Sequence, residues 1–162
     1  MATTRYPLTP NAAEFPTANF APRTKDANSR TVLSFDPTTS QSCWWTLVAW
    51  QGLTTPLTLI IHYTMVSAVS GSVYFRAYVE AVTAGDALNI DTTDSFDVAN
   101  AANAVVPATA GYEQEISITL TSNDAIAAGD LIRIKLDRDA ANAGDTAASA
   151  AYVHAVELRD NA

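Results

Sequence analysis

Three side chains in this sequence could carry nucleophilic or metal chemistry: Cys43, His62 and His154. A thiol beside an imidazole can act as a nucleophile with its base. Cys43, however, lies in an apolar run next to Trp44 and Trp45, and burial raises the pKa of a thiol. The sequence therefore predicts a packed, structural cysteine and no thiol catalysis.

The two histidines each fall inside a predicted strand. A pair of strand histidines could bind a metal, but no third ligand stands at a spacing typical of a zinc site. We expect His62 and His154 to be exposed or hydrogen-bonded side chains. The sequence thus predicts no metal and no cofactor.

A third candidate is the aspartate-rich stretch AGDLIRIKLDRDAANAGDT, residues 128–146. Its spacing does not match the oxygen ligands of a calcium-binding loop. Arg138 stands between two aspartates and can tie this loop together by itself. No catalytic arrangement is present, so the chain is not expected to be an enzyme. Whether Asp137, Asp139 and Asp145 hold an ion is left open by the sequence.

The elements that carry these residues are short runs in which apolar and polar side chains alternate. In PLTLIIHYTM, for example, alternate apolar residues from Leu57 to Met65 share one face. Period-2 alternation between turn residues is typical of an all-β sandwich or barrel. One helical turn is expected at residues 122–130, between a capping Ser122 and Gly129. The predicted strands are residues 31–36, 42–50, 56–65, 72–82, 103–107, 112–121, 131–138 and 151–158.

The first thirty residues form a separate unit in this interpretation, an extended arm preceding a β-sandwich domain over residues 31–162. They hold four of the seven prolines and show neither strand nor helix periodicity. Proline removes backbone donors and fixes φ, so the segment should be extended. It is either a disordered tail or an arm that orders against a partner. Its candidate apolar anchors are Tyr6, Leu8, Phe15 and Phe20, and its basic residues are Arg5, Arg23, Lys25 and Arg30.

Charge is distributed unevenly along the chain. The arm carries four basic and two acidic residues, for a net charge of +2, whereas the whole chain has −8 and a pI near 4.4. An acidic protein is not expected to bind nucleic acid by electrostatics. No apolar stretch is long enough to span a bilayer, and the start lacks a signal-peptide pattern. With a single cysteine, folding in a reducing cytoplasm is expected.

Four aromatic side chains are predicted on outward-facing strand positions: Trp44, Trp50, Tyr74 and Tyr78. Exposed Trp and Tyr can stack on sugar rings in a carbohydrate-binding face. They can equally be buried between subunits, since these residue types are common interface anchors. The uncharged, Ala- and Thr-rich surface favours the subunit interface.

Two stretches carry a resemblance to a known group of proteins. They are TSNDAIAAGDLIRIKLDRDAANAGDTAASAAYVHAVEL and, upstream, WWTLVAWQGLTTPLTLIIHYTMVSAVSGSVYFRAYVEAV. Over roughly residues 31–158 the chain resembles small bacteriophage virion proteins, in which a Gly-Asp turn leads into an apolar strand ending in Arg-Asp. The resemblance implies an antiparallel jelly-roll β-sandwich of about eight strands and a structural role as a homotrimer. Members are head cement (decoration) proteins or tail and fibre components.

These observations together predict a bacteriophage capsid cement protein. It would be made in the bacterial host cytoplasm and bind the outer surface of the phage head. Its arm would contact the major capsid protein and link neighbouring capsid subunits, stabilising the shell. The alternative is a receptor- or glycan-binding module of a phage tail or fibre, which would use Trp44, Trp50, Tyr74 and Tyr78.

Overall fold

The protein is built from two antiparallel β-sheets, described by a computed structural model over residues 5–160. The first four residues of the predicted arm lie outside the described residues. A single turn of 3-10 helix spans Pro10–Ala12. The strands are β1 (Arg5–Leu8), β2 (Arg23–Lys25), β3 (Thr31–Phe35), β4 (Gln41–Val48), β5 (Leu57–Met65), β6 (Ser72–Val82), β7 (Asn100–Val105), β8 (Gln114–Leu120), β9 (Leu131–Arg138) and β10 (Ala151–Arg159).

The strand order is that of a jelly roll. The six-stranded sheet has the order β2-β3-β10-β5-β8, with β1 also paired to β10, and the four-stranded sheet has the order β4-β9-β6-β7. From β3 onward the chain passes back and forth between the sheets, so that eight strands form two four-stranded layers. The predicted all-β sandwich is confirmed, with two short strands added at the N-terminus.

Alternation of side chains along the strands places the core between the sheets. On β5 the residues from Leu57 to Met65 at odd positions are all buried, as predicted. Trp45 is buried with Cys43 and Leu47 on the inward face of β4. The Phe75 ring meets Phe35 edge-on, with the centroids 5.5 Å apart. Such aromatic contacts join the two inner faces.

The N-terminal segment packs on its own body, which differs from the separate arm that the sequence predicts. β1 pairs with β10, and β2 pairs with β3. Between them, Glu14 exchanges backbone hydrogen bonds with Trp44, at 2.8 and 3.0 Å, along the outer edge of β4. The segment is extended, as predicted, because its prolines exclude long regular elements. Short edge strands tolerate proline, and here they cover edges that would otherwise be open.

This packing changes the roles expected for the apolar arm residues. Leu8 is only 2 % exposed and belongs to the core, so its side chain is not presented on the surface. Phe15 is half-buried and contacts Phe20, at 5.8 Å between ring centroids. Tyr6 and Phe20 keep about two fifths of their surface exposed.

The four basic arm residues are all exposed: Arg5, Arg23, Lys25 and Arg30. They differ in their contacts. Arg23 donates hydrogen bonds to the carbonyls of Pro10 and Ala13, at 3.1 and 3.2 Å, and so ties the segment to itself. All four predicted cations therefore remain on the surface.

The predicted helical turn at residues 122–130 is wrong. Asp124 and Ala125 adopt positive φ angles of 52° and 51°, which a right-handed helix excludes. The Asp124 carboxylate instead accepts a hydrogen bond from the Ala81 N–H, at 2.8 Å. Within residues 5–160 no helix has the length and apolar character needed to cross a membrane.

Arg138 is a completely buried cation at the end of β9. Its Nε and Nη2 bind both oxygens of Asp145, at 2.8 and 2.7 Å. The remaining N–H groups donate to the carbonyls of Phe35, Ala147 and Ser149. Asp145 also accepts the N–H of Tyr74, at 3.0 Å. Arg138 thereby joins the end of β9 to β3, to β6 and to the loop that leads into β10.

We predict that Arg138→Met destabilises the protein by about 3–5 kcal/mol, because it leaves the Asp145 carboxylate buried without its partner. Urea unfolding measures the change. The control is Arg159→Met, which removes a partly exposed pair with Glu157 and should cost less than about 1 kcal/mol. An equal decrease in the free energy of unfolding of the two variants would show that buried Arg138 contributes no more to stability than surface Arg159.

Candidate functional site

Cys43 and the two histidines do not form a catalytic group. Cys43 is fully buried between the sheets, and this burial raises the pKa of its thiol far above the usual range. His62 and His154 lie on the outer face of the six-stranded sheet, where His154 Nε2 is 3.0 Å from the Thr64 hydroxyl. The thiol therefore faces the core, whereas both imidazoles lie on the outside of the six-stranded sheet.

Three of the four aspartates in the 128–146 stretch are paired with arginines, whereas Asp130 accepts the Thr83 hydroxyl and the Ala127 N–H, at 2.8 and 2.7 Å. Asp145 is held by Arg138, as described above. Arg76 binds both oxygens of Asp137, at 2.9 and 2.7 Å, and lies 2.9 Å from Asp139. Each of the three carboxylates that the sequence leaves open as ion ligands thus has a guanidinium partner. The interpretation of this stretch as a strand and its loops fits these contacts.

The four aromatic residues predicted to face outward do not form one continuous face. The prediction for Trp50 is wrong, because this residue lies beyond the end of β4 and packs against the core. Trp50 stacks on Tyr6, with centroids 6.3 Å apart, and its indole N–H lies 3.4 Å from Asp160. Tyr78 lies beneath Lys135, whose ammonium is 5.0 Å from the ring centroid. Tyr74 is half-buried, like Tyr78. Trp44 lines a cavity.

That cavity, called here the Trp44 cleft, lies on the outer face of the four-stranded sheet. It encloses about 430 Å³, within the range of small-molecule sites. Its floor comes from β4, β6 and β9, and its walls come from the N-terminal segment and the β6–β7 loop. The lining residues are Glu14, Trp44, Thr46, Glu80, Val82, Ile90, Asp91, Asp94, Leu131 and Arg133.

Arg133 organises the polar side of the cleft. Its Nη1 donates to Glu80, at 3.1 Å, and to Asp94, at 2.6 Å. Its guanidinium carbon lies 5.0 Å from the Trp44 ring centroid and 5.1 Å from that of Phe96. The guanidinium is therefore oriented by two carboxylates and two rings.

Glu80 connects the floor of the cleft to its wall. The side chain is almost fully buried, and one carboxylate oxygen accepts both the N–H and the hydroxyl of Ser95, at 2.6 and 3.1 Å. The other oxygen receives Arg133. By binding Ser95 through one oxygen and Arg133 through the other, Glu80 holds the β6–β7 loop over the sheet. Asp91 and Asp94 of this loop then line the cleft.

On the opposite wall, Glu14 accepts a hydrogen bond from the Thr46 hydroxyl, at 3.1 Å. Its backbone is held by the bridge to Trp44. The cleft thus combines an indole, apolar side chains, four carboxylates and one guanidinium. Carboxylates and guanidinium groups can accept from and donate to ligand hydroxyls, and an indole can pack on C–H-rich ring faces. The arrangement suits a neutral ligand with many hydroxyl groups.

Sequence reasoning identified Trp44 but missed the residues around it. Glu80 and Arg133 occupy outward positions on β6 and β9. The alternation of apolar and polar residues along these strands could have identified them as surface residues. Glu14, Asp91 and Asp94 come from segments without periodicity, so nothing in the sequence places them beside β4 and β9.

Comparison with known proteins gives similarity of fold. No protein-family model matches the chain, and no curated protein matches it. Among solved structures it is similar to a family 11 carbohydrate-binding module from Clostridium thermocellum, with 9 % identity, 96 % of this chain and 87 % of that chain covered, and a TM-score of 0.46. It is also similar to the C-terminal family 6 module of a marine laminarinase from Zobellia galactanivorans, with 9 % identity, coverages of 97 % and 98 %, and a TM-score of 0.43.

A third similar structure is the K1 cleaved adhesin domain of Lys-gingipain from Porphyromonas gingivalis W83. The identity is 13 %, both chains are covered completely, and the TM-score is 0.46. None of these three proteins comes from a bacteriophage. At these identities and TM-scores the three structures carry no conclusion about the function of this chain.

We predict that Cys43 reacts with a thiol reagent at least about a hundredfold more slowly in the folded protein than in the denatured chain, since labelling requires opening of the core. Ellman's reagent with and without denaturant measures the two rates. Rapid labelling of the folded protein would mean that Cys43 is accessible and that the packing around it is wrong.

Proposed function

We propose that this protein is a non-catalytic carbohydrate-binding module and that the Trp44 cleft binds a neutral glycan. The observation that carries the proposal is the Trp44 cleft itself, where an indole, fixed carboxylates and an oriented guanidinium converge. Sugar rings offer apolar C–H faces and a rim of hydroxyls, and these are the two kinds of surface that this cleft complements.

The charge of the cleft supports a neutral glycan over an acidic one. Four carboxylates face a single guanidinium, and the whole chain has a net charge of −8. A sulfated or uronic glycan would meet this negative potential at close range. Hydroxyl groups donate to carboxylates without a net charge of their own, so neutral glycans avoid the repulsion.

The residues also support binding without catalysis. Glu80 is engaged by Arg133 and Ser95, and Glu14 by Thr46, so the best-positioned carboxylates are already hydrogen-bonded as acceptors. We infer that these carboxylates act as hydrogen-bond acceptors that orient the hydroxyl groups of a ligand.

The capsid cement role, with a homotrimer bound to a major capsid protein, stays a prediction. Packing of the N-terminal segment on its own sandwich removes Leu8 from the set of available anchors. Tyr6 and Phe20 are exposed, but no observation associates them with a capsid. The receptor- or glycan-binding alternative is therefore the function that the geometry supports better.

We predict that Trp44→Ala weakens glycan binding by about tenfold or more, since a ring packed against the ligand typically contributes more than 1.4 kcal/mol. A glycan array identifies the ligand, and titration calorimetry measures both proteins. The matched control is Trp50→Ala, which alters an indole stacked on Tyr6 outside the cleft and should bind within about threefold of the wild type.

Salt distinguishes the proposed ligand from a cationic one. The affinity for a neutral glycan should hardly change with ionic strength. The affinity for an amine attracted by the four carboxylates should fall as salt screens the charges. The proposal fails if no neutral glycan binds, or if both tryptophan variants retain full affinity.

A further inference from the structure

A second group of ligating side chains lies on the outer face of the six-stranded sheet, on the side of the sandwich opposite the Trp44 cleft. His62 on β5 is paired directly with Glu115 on β8 in the strand register. Glu113 precedes β8 and, two residues before Glu115, projects from the same face. The sheet therefore brings one imidazole and two carboxylates together from segments about fifty residues apart in sequence.

Both carboxylates converge on one nitrogen atom. His62 Nδ1 lies 2.9 Å from Glu113 Oε1 and 3.4 Å from Glu115 Oε1. The three ligand atoms all lie within 4.8 Å of one another. A ring nitrogen can donate only one hydrogen bond, so it can satisfy one of these carboxylates but not both. Two like charges brought this close are stabilised by a shared cation.

The spacing matches the edges of a metal coordination shell. Zinc binds nitrogen and carboxylate oxygen at about 2.0–2.2 Å, which places neighbouring ligands about 3.3–3.5 Å apart in a tetrahedron. Octahedral ions of similar radius bring them to about 3.0 Å. The two nitrogen–oxygen distances in the structure, 2.9 and 3.4 Å, lie within this interval or at its edge, so little movement is needed to close the ligands around an ion.

The positions of the three residues favour a prepared site. His62 comes from a strand hydrogen-bonded on both sides, by β10 and β8, and only 23 % of its side chain is exposed. The glutamate side chains are about half exposed, which leaves a ligand position open to water. One imidazole with two carboxylates suits divalent zinc and its neighbours in the first transition row better than calcium or magnesium, which prefer oxygen alone.

We propose that His62, Glu113 and Glu115 bind one divalent transition-metal ion, with zinc as its representative, through His62 Nδ1 and one oxygen of each glutamate. The ion carries two positive charges against two carboxylates and takes water as a further ligand. This site is independent of carbohydrate binding, because it lies on the other sheet and shares no residue with the Trp44 cleft.

Titration calorimetry of the full chain with zinc chloride tests the proposal, after EDTA treatment and removal of the chelator. We expect one ion per chain. His62→Ala and the double variant Glu113→Gln/Glu115→Gln should each weaken zinc binding at least tenfold. His154→Ala, which changes the other histidine on the same face, should bind within threefold of the wild type.

Long-range ¹H–¹⁵N correlation spectra of the two histidine rings test the proposal in the unsubstituted protein. Zinc should shift the Nδ1 resonance of His62 and leave the His154 ring in place. Absence of stoichiometric binding, equal competition by magnesium, or a shift of His154 alone would each overturn the proposal and leave a His62–Glu113 hydrogen bond as the whole interaction.

Discussion

The structure depends on one buried cation, Arg138, whose five N–H groups all find acceptors inside the protein. Removing a guanidinium from water costs several kcal/mol, and only a complete set of partners offsets that cost. Asp145 supplies the opposite charge, and three carbonyls supply the rest. Phe35 belongs to the six-stranded sheet and Arg138 to the four-stranded sheet. The hydrogen bond between Arg138 and the Phe35 carbonyl therefore fixes how the two sheets meet at this end of the sandwich.

Strand β9, which ends at Arg138, also carries Arg133 of the Trp44 cleft. Along β9, Ile132, Ile134, Leu136 and Arg138 alternate inward, whereas Arg133 and Lys135 point outward. Anchoring β9 at Arg138 fixes its register between β4 and β6, and with it the position of Arg133 against Trp44 and Glu80. A slip of one residue would turn Arg133 into the core and Arg138 into solvent. The alternation of side chains along β9 therefore places Arg138 beside Asp145 in the interior and Arg133 in the Trp44 cleft on the outside.

The eight strands from β3 onward could be predicted from the sequence because half-buried strands impose a period of two. β1 and β2 could not, since they are short, contain or follow prolines, and are stabilised only by neighbours distant in sequence. The helical turn at 122–130 was mistaken because the Asp124 side chain bonds to Ala81, a competing interaction that local capping rules do not include. The prediction that the histidines have no third metal ligand uses spacing along the chain only, and it stays a prediction. His62 and Glu115 become neighbours only through strand register, which no single-sequence spacing rule contains.

The central claim is that a glycan binds against Trp44, and the three tryptophans of this chain allow a direct measurement. Their indole N–H resonances can be followed together in ¹⁵N-labelled protein during titration with the oligosaccharide that binds best on an array. Trp45 donates to the Thr9 carbonyl and Trp50 lies against Asp160, so both serve as internal references. The account predicts a saturable shift of the Trp44 resonance with the other two nearly unchanged. A shift confined to Trp50, or no shift of any indole with a glycan that binds, would contradict it.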